Sequence, residues 1–288
     1  HVLCARAGKL IALPFDARVR RPTGEPVVVS PAVRWFGPTG SASFAVSADG
    51  STLVHELRPP PSRLVWLDRD GRQVAAIGEP RPFGLVQLAP DGRHAAVDVW
   101  QDETGGRDVW SVDTVSGVAR RLTFAALDAW APAWSPDGAR LAYASGDMGP
   151  PDIRLLRLAG NGGEETLVRA AGVQFPRHFS PDGRLLLYED YPGGRFDERR
   201  LRLHGEGPPR FAVSAPAASY HGRFSPDGRQ IAYVSEESGR PEVYLAAVDG
   251  RRPPRRVSPR GGVLPRFRGD GRELFFFQPD GMMMAAAL

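Results

Sequence analysis

The residue types that could perform catalysis or bind a metal ion are present, but they do not form a recognisable motif. The six histidines are scattered along the chain, at positions 1, 55, 94, 178, 204 and 221, whereas metal ligands recur at short fixed spacings. Residues 68–71 (DRDG) imitate the start of a calcium loop, but the later ligands are missing and apolar segments flank them. That setting favours a hairpin turn. The sequence therefore predicts no metal site and no cofactor.

The motifs of serine hydrolases and protein kinases are also missing from the sequence. No Gly-x-Ser-x-Gly, His-Arg-Asp or Asp-Phe-Gly segment occurs, and Lys9, the only lysine, lies outside the context of a kinase lysine. Residues 160–165 (GNGGEE) lack the last glycine of a dinucleotide fingerprint. Cys4, the single cysteine, is interpreted as a small buried strand residue, because no motif places a base near it. We therefore expect no catalytic residue in this chain.

A turn signal of the form Ser/Ala-Pro/Ala-Asp-Gly recurs along the whole chain, with a degenerate sixth copy. Its aspartates lie at 49, 91, 137, 182, 227 and 270. Proline fixes φ in a tight turn, aspartate bonds nearby amides, and glycine accepts a positive φ. Self-similarity at a period of roughly 40–50 residues marks a repeat architecture. The residues predicted to build the turns are Asp49, Gly50, Asp91, Gly92, Asp137, Gly138, Asp182, Gly183, Asp227, Gly228, Asp270 and Gly271.

Four short β-like segments accompany each copy of the turn signal. An apolar segment enters the turn, an alternating segment such as RQIAYVS (229–235) leaves it, and two more follow, such as EVYLAAVDG (242–250) and RRVS (255–258). The 33 glycines and 28 prolines leave no long helical pattern uninterrupted. Four strands per repeat predict an all-β fold, a β-propeller of four-stranded antiparallel blades. A β-sandwich explains neither the fixed period nor the equivalent turns.

The repeat predicts one propeller over residues 1–288, with six blades, or seven as the alternative. Because a ring must close to avoid unpaired edges, a terminal strand such as 26–30 is a candidate for completing the unit that begins at 263. The repeat starts and stops within a unit, so we expect the sequence to belong to a longer protein. The predicted units are 1–31 (partial), 43–82, 85–126, 131–171, 175–215, 220–262 and 263–288 (partial).

Composition excludes some classes of partner. The formal net charge is only +4, and the arginine-rich segment 251–268 lacks the interleaved aromatics of a nucleic-acid site, which favours a solvated connection between blades. No run of 18 apolar residues occurs, so nothing in this sequence predicts a membrane span. We expect no nucleic-acid partner, and contact with a membrane only through a segment outside this chain.

In a propeller, the first strands line the central channel, and the loops that enter them share a rim with the loops between the second and third strands. Aromatic and charged residues on such a rim suit recognition of a protein, peptide or glycan. The predicted rim residues are Trp100, Asp128, Trp130, Gln174, Arg177, Tyr191, Arg195, Tyr220, His221, Arg223, Glu237 and Arg240.

The turns together with ARLAYAS (139–145), RLLLYED (184–190) and RQIAYVS resemble the WD-like repeat of TolB-type propellers. Longer stretches, 8–29, 64–80, 120–138 and 222–245, resemble the C-terminal propeller region of bacterial membrane-anchored serine/threonine protein kinases. That resemblance implies a sensory or interaction module on the extracytoplasmic, periplasmic side of the membrane, with the kinase upstream. None of that family's catalytic residues occurs here.

Three interpretations of function follow. The first is a non-catalytic sensor or interaction propeller of such a kinase, which the long matching stretches favour. The second is a TolB-like periplasmic scaffold that binds envelope proteins. The third is the gating propeller of a prolyl-oligopeptidase-like peptidase, which is disfavoured because no hydrolase segment is present. Fold alone does not choose among them, since function depends on sites added to the fold.

Overall fold

The computed structural model describes most of the chain, and the statements below concern those residues. They are 1–6, 9–30, 33, 35–36, 41–42, 44–47, 52–55, 60–101, 106–124, 128–146, 151–159, 162–169, 172–191, 196–203, 210–213 and 217–288. All regular structure within these ranges is β-strand. The chain divides into two compact units: unit 1 is His1–Leu88, Gly92–Trp130 and Ser145–Pro151, and unit 2 is Ala89–Asp91, Ala131–Ala144 and Asp152–Leu288.

Unit 1 contains a four-stranded antiparallel sheet, in the order β12-β13-β14-β15, and a three-stranded sheet, in the order β1-β2-β5. Two-stranded pairs β3-β4, β6-β7, β8-β9 and β10-β11 complete its described strands. The strands are β1 (Val2–Arg6), β2 (Lys9–Leu13), β3 (Phe15–Asp16), β4 (Arg21–Pro22), β5 (Val27–Ser30), β6 (Trp35–Phe36), β7 (Ser41–Ala42), β8 (Phe44–Val46), β9 (Leu53–His55), β10 (Ser62–Leu67), β11 (Gln73–Arg81), β12 (Phe83–Leu88), β13 (His94–Trp100), β14 (Arg107–Asp113) and β15 (Ala119–Arg121).

The remaining strands form three four-stranded sheets and one three-stranded sheet, each meandering in sequence order. The first sheet is β16 (Asp128–Trp134), β17 (Arg140–Gly146), β18 (Asp152–Arg157) and β19 (Glu164–Val168). The second is β20 (Val173–Phe179), β21 (Leu185–Tyr191), β22 (Asp197–Arg202) and β23 (Arg210–Phe211). The third is β24 (Ser219–Phe224), β25 (Gln230–Ser235), β26 (Glu242–Ala247) and β27 (Arg255–Arg256), and the last is β28 (Val263–Phe267), β29 (Glu273–Phe277) and β30 (Met283–Ala287).

The core of unit 2 consists of apolar clusters that join successive sheets. Ile153 and Leu155 of β18 pack with Leu186 and Tyr188 of β21. In the same way Leu187 packs with residues of β24, β25 and β26, and Ala232 with residues of β29. Each fully buried aliphatic side chain contributes about 1.5–3 kcal/mol relative to exposure. The stacked faces therefore supply the main driving force that holds neighbouring sheets together.

The recurring turns are locked by their own side chains. The Ser180 hydroxyl donates to the Asp182 carboxylate over 2.5 Å, and that carboxylate accepts the N–H of Arg184 over 3.1 Å. The hydroxyl is the main reason why the pKa of Asp182 lies below its usual value. Gly183 takes a φ of 69°, and its N–H bonds the Ser180 carbonyl over 2.8 Å. Glycine therefore stands where a side chain would be strained.

The first strand of several sheets contains a backbone irregularity at a recurring position. His221 and Leu264 have φ values of 58° and 55°, each six residues before the aspartate of the next turn. Register shifts mark β-bulges in β12, β20, β24 and β28. A bulge disrupts the ladder and re-aims side chains. The first strands of these four sheets therefore share an irregularity shortly before the turn, although the pairs β10–β11, β18–β19 and β2–β5 also contain register shifts.

Two details differ from the sequence-based expectations. Cys4 lies in β1 but is exposed, so the expectation of a buried strand residue was wrong; in the β1–β2 pair it lies opposite Ile11. Strand 26–30, a candidate for completing the unit that begins at 263, pairs instead with β2, with Ile11 opposite Val28. Its run of three consecutive valines, 27–29, fits either edge, so the pairing preference could not be inferred from its sequence.

Replacement of Gly138 by alanine tests the turn geometry. Gly138 has a φ of 67°, and no atom lies within 4 Å of the place that a Cβ would occupy, so the substitution adds backbone strain without a clash. We expect Gly138→Ala to lower the free energy of unfolding by about 1–2 kcal/mol, measured by urea denaturation. Gly269→Ala is the matched control, because that turn glycine has open space and no positive φ. Equal effects of the two substitutions would contradict the turn assignment.

Candidate functional site

In unit 1, three predicted rim residues meet around an arginine. The Arg107 guanidinium lies 4.9 Å from the Trp100 ring centroid and 4.3 Å from that of Trp130. It also donates to Asp128, with Nη2 to Oδ2 at 2.8 Å and Nε to Oδ1 at 3.2 Å. The side chains of Arg107 and Asp128 are only 12% and 9% exposed. This assembly fixes Trp100, Asp128 and Trp130 in place by cation–π and charge-assisted contacts.

A cleft of about 500 Å³ lies next to this assembly, within unit 1. Its walls include Arg81 of β11, Trp100 of β13, Trp110 of β14 and Arg121 of β15. The volume falls in the range of small-molecule sites. However, Arg81 lies over the Trp110 ring at 4.9 Å, and Arg121 is paired with Asp108 at 2.8 Å. Most of the groups that could recognise a ligand there are already used by the protein.

In unit 2, the first strands β20, β24 and β28 contact one another in that order. They bring together three arginines and two histidines, with one glutamate of β21. We call this set the arginine cluster: Arg177, His178, Glu189, His221, Arg223 and Arg266. The first strand is an outer strand of each sheet in the pairing order, so the arginines and histidines lie on sheet edges, whereas Glu189 lies on the inner strand β21.

Glu189 lies at the centre of the arginine cluster, and both of its carboxylate oxygens accept hydrogen bonds. Arg177 donates from Nε to Oε1 at 2.6 Å and from Nη2 to Oε2 at 2.5 Å, and the backbone N–H of His221 donates to Oε1 at 2.6 Å. Burial alone would raise the pKa of Glu189, but Arg177 and then His221 outweigh it and hold the pKa below its usual value. The carboxylate is therefore ionised, and it satisfies the N–H at the bulge of β24.

Both histidines of the arginine cluster are neutral at physiological pH. The pKa of His221 is lowered to about 3, mainly by burial; Arg177, Arg223 and Arg266 contribute to this shift and Glu189 opposes it. Burial also lowers the pKa of His178 well below its usual value, again with Arg223 and Arg266 contributing. His178 Nδ1 accepts the N–H of Phe224 over 3.2 Å. This contact requires an unprotonated Nδ1, which agrees with the direction of the shift.

The cations of the cluster repel one another. Burial and, to a smaller extent, the charge of Arg177 together lower the pKa of Arg266 to about 10. Arg223 is 8% exposed, and its charge disfavours protonation of both histidines. The fold of unit 2 therefore holds three guanidinium groups near one another with Glu189 as the carboxylate that binds Arg177. This is a cationic cluster beside two neutral imidazoles.

The predicted tyrosines lie in an aromatic group beside the arginine cluster. Phe196 is 4.5 Å from Tyr191 and 6.3 Å from Tyr220 between ring centroids, and Tyr220 meets the His221 ring edge-on at 5.0 Å. The Tyr220 hydroxyl donates to Glu236 over 3.0 Å. These rings are packed against each other and support the backbone that carries His221.

Other predicted residues have contacts of their own. Gln174 is buried, and its amide nitrogen donates to the Gly172 carbonyl over 2.5 Å. Arg240 donates to Glu242 over 2.8 Å and to the Pro259 carbonyl over 2.8 Å. Glu237 is exposed on the loop between β25 and β26. The structure places Glu237 and Arg240 outside the set of contacts that defines the arginine cluster, and whether either binds a ligand stays a prediction.

Three of the residues named from the sequence, Arg195, Asp49 and Gly50, lie outside the described residues. Conversely, Arg107, His178 and Glu189 were missed by the sequence reasoning. Arg266 belongs to the segment 251–268 that was interpreted as a solvated connection between blades, and this interpretation was wrong for Arg266, which lies in β28 and is largely buried. Prolines inside first strands, such as Pro176 and Pro265, were an available signal, because proline within a sheet marks an edge or a bulge. Such a signal locates the irregular strand, but it does not reveal which acid of a neighbouring strand faces it.

The described part of the chain shows neither a metal cluster nor a membrane-spanning helix. No group of three or more His, Cys, Asp or Glu side chains there is arranged to hold a metal ion. No helix in those ranges is long and apolar enough to cross a bilayer.

Comparison with known proteins identifies the family. The model of the TolB beta propeller domain matches residues 128–286, which is more than half of the chain. The chain therefore belongs to the TolB β-propeller domain family, and its fold is the all-β propeller that the repeat predicts. No curated protein sequence matches the chain significantly.

Solved structures share this fold at low sequence identity. TolB from Acinetobacter baumannii is 18% identical with a TM-score of 0.63, over 99% of this chain and 78% of that one. A putative TolB from Agrobacterium tumefaciens is 19% identical with a TM-score of 0.61, over 74% and 83%. An oligogalacturonate lyase in complex with manganese is 15% identical with a TM-score of 0.54, over 76% and 68%. At these identities the likeness extends to the fold alone.

Replacement of Glu189 by glutamine tests the electrostatic role of its carboxylate. The change leaves Arg177 with a neutral partner in a site where the two side chains are 13% and 2% exposed. Removing one partner of a buried ion pair costs about 3–5 kcal/mol, and we expect a loss of that order in the free energy of unfolding from urea denaturation.

Two further variants complete this test. In the exposed pair Arg157–Glu165 the side chains are 60% and 49% exposed, so Glu165→Gln should cost less than about 1 kcal/mol. The double variant Arg177→Met with Glu189→Gln should recover much of the loss, because no buried charge remains unpaired. If Glu189→Gln were as mild as Glu165→Gln, the carboxylate would not have the role assigned to it.

Proposed function

We propose that this chain is a non-catalytic binding propeller that recognises a protein or peptide partner through the arginine cluster and the rim beside it. Membership of the TolB β-propeller domain family supports a binding role. The observation that carries the proposal is that Glu189 is ionised and bonded within the protein, while the His221 ring is neutral. The Glu189 carboxylate accepts hydrogen bonds from the Arg177 side chain and from the backbone N–H of His221. The role of this acid is therefore to hold the site together.

The same groups are poorly suited to proton transfer. A general acid or base works best with a pKa near the operating pH. The pKa of Glu189 is held below its usual value, and the pKa of His221 falls to about 3. Fixed charges and neutral imidazoles on partly buried strand edges are, in contrast, suited to recognising a ligand by hydrogen bonds and charge. This supports binding rather than turnover.

We further propose that the chain acts on the extracytoplasmic side of a bacterial membrane, as the propeller region of a membrane-anchored serine/threonine kinase. The support is the resemblance of segments 8–29, 64–80, 120–138 and 222–245 to such regions. The alternative is a periplasmic scaffold of the TolB kind, which the two TolB structures favour. The gene sequence on both sides separates them: the first needs a kinase core and an apolar span upstream, and the second needs a cleavable signal peptide without a kinase.

Selection of peptides from a random library tests the binding role. Twelve-residue peptides displayed on phage would be selected against the purified chain, and the enriched sequences measured as labelled synthetic peptides by fluorescence anisotropy. We expect saturable binding that weakens at least about tenfold in Arg223→Gln, because this arginine belongs to the arginine cluster. Arg256→Gln is the control, since Arg256 is exposed on β27, the last strand of its sheet, and removes the same charge.

Two results would contradict the proposed function. One is that no peptide is enriched, or that enriched peptides bind Arg223→Gln as tightly as the unmodified chain. The other is cleavage of a bound peptide during incubation, detected by mass spectrometry at a rate proportional to the concentration of the purified chain. Circular dichroism and thermal denaturation establish that Arg223→Gln is folded before its affinity is interpreted.

A further inference from the structure

We propose that the arginine cluster of unit 2 is a carboxylate-binding site, and that its ligand is an acidic segment of a peptide or protein. The inference deepens the proposed function and rests on it, because it names the chemistry that the binding propeller recognises. It is carried by the arrangement of Arg177, Arg223 and Arg266 on three adjacent first strands, all of them in unit 2.

The first step is the supply of hydrogen-bond donors. A guanidinium has five N–H donors in a planar fork that matches a carboxylate. Arg177 directs Nε and Nη2 to Glu189. Among the described residues, Arg266 uses Nη1 for a hydrogen bond to the Pro265 carbonyl over 2.9 Å. That bond is to a backbone oxygen of its own strand, so the positive charge of Arg266 is not offset by it.

The second step is the mutual repulsion of the cations. The charge of Arg177 acts on Arg266, and the charges of Arg223 and Arg266 both act on His178. Holding like charges close together in a partly buried place is unfavourable. An added carboxylate between these groups would convert that repulsion into attraction. The site is therefore prepared for an anion before the anion arrives.

Third, the two histidines add one hydrogen-bond donor and one acceptor to the site. Because His178 Nδ1 accepts the Phe224 N–H, the neutral ring carries its proton on Nε2 and offers a donor. His221 Nδ1 is buried without a hydrogen-bond partner among the described residues. A buried polar atom without a partner costs free energy. A peptide carries amide N–H groups beside its carboxylates. Its carboxylate would accept from His178 Nε2, and its N–H would donate to His221 Nδ1.

The fourth step distinguishes a peptide from other anions. Nucleic acids are bound by stacking on open aromatic rings as well as by cations, but Tyr191, Phe196 and Tyr220 are packed against each other. Peptides also pair with outer strands of sheets, and β20, β24 and β28 each end the pairing order of their sheet. The arrangement therefore favours a short acidic peptide over an extended polyanion or a sugar stacked on a ring.

Defined peptides test this inference with the whole chain. Acetyl-triglutamate amide and acetyl-triglutamine amide have the same shape and differ in charge. At 50 mM NaCl we expect the glutamate peptide to bind by isothermal titration calorimetry and the glutamine peptide to give no measurable heat. Arg266→Gln should weaken binding at least about tenfold. Arg256→Gln, which removes an exposed charge from β27, should leave the affinity unchanged within twofold.

A readout on the unmodified chain covers the case in which Arg266→Gln does not fold. A peptide bound beside His178 and His221 accepts from one neutral ring and donates to the other, so saturating glutamate peptide at pH 7 should shift the side-chain nitrogen-15 resonances of both histidines. Absence of binding, equal weakening by Arg266→Gln and Arg256→Gln, or unmoved histidine resonances in the presence of bound peptide would overturn the proposal. If a galacturonate trisaccharide bound through Arg266 more tightly than the peptide, the assignment to a peptide would be wrong.

The phage selection distinguishes a failure of the carboxylate inference from a failure of the proposed binding function. If phage selection yields peptides that need Arg223 but show no enrichment of aspartate or glutamate, the binding role stands and the carboxylate inference fails. If no peptide is selected at all, the binding role fails first.

Discussion

The N–H that a β-bulge removes from the regular ladder is the constraint on which the rest of unit 2 depends. A buried N–H must find an acceptor, and in β24 the acceptor for His221 is the carboxylate of Glu189 on a neighbouring sheet. A buried carboxylate in turn needs a cation, which Arg177 supplies from the same sheet as Glu189. One irregular peptide group thereby leads to a charged cluster that joins two sheets.

A carboxylate also satisfies the N–H of a bulge in unit 1. There the bulge of β12 directs the Leu85 N–H to Asp98 of the adjacent strand over 2.9 Å. A Cβ at Gly84 would lie 1.9 Å from the Asp98 carboxylate, so glycine leaves the room that this carboxylate needs beside the strand. Glu189 is one methylene longer, and it accepts an N–H of the next sheet. Asp98 and Glu189 each lie seven residues after the aspartate of their turn.

The sequence predicts the fold well because the fold depends on local signals that recur. Turns such as 180–183 contain their own hydrogen-bond partners, and the apolar segments around them alternate at the strand period, so the repeat can be read without tertiary information. The arginine cluster could not be predicted in this way. Arg177 and His221 are 44 residues apart in the chain, and their meeting depends on how far Glu189 extends from one sheet to the next.

The rim residues predicted from their place on loops are only partly brought together by the structure, for a related reason. Trp100, Asp128 and Trp130 do come together, but Arg107 joins them and fills the space between the rings. Position in a repeat indicates which rim a side chain lies on. It does not indicate whether the side chain is free to meet a ligand or is already held by a neighbour, since this is decided by side chains from other strands.

The central claim is that unit 2 holds a cluster of cations beside which His178 and His221 remain neutral. An NMR titration of a chain labelled with nitrogen-15 histidine, assigned with the variants His178→Asn and His221→Asn, tests it most directly. Burial and the neighbouring arginines lower the pKa of both imidazoles well below the usual 6.5, so both rings are expected to stay unprotonated when the pH falls from 7.5 through that value. A titration of either ring with a midpoint near 6.5 would show that the site is open to water and lacks the concentrated positive charge on which the account depends.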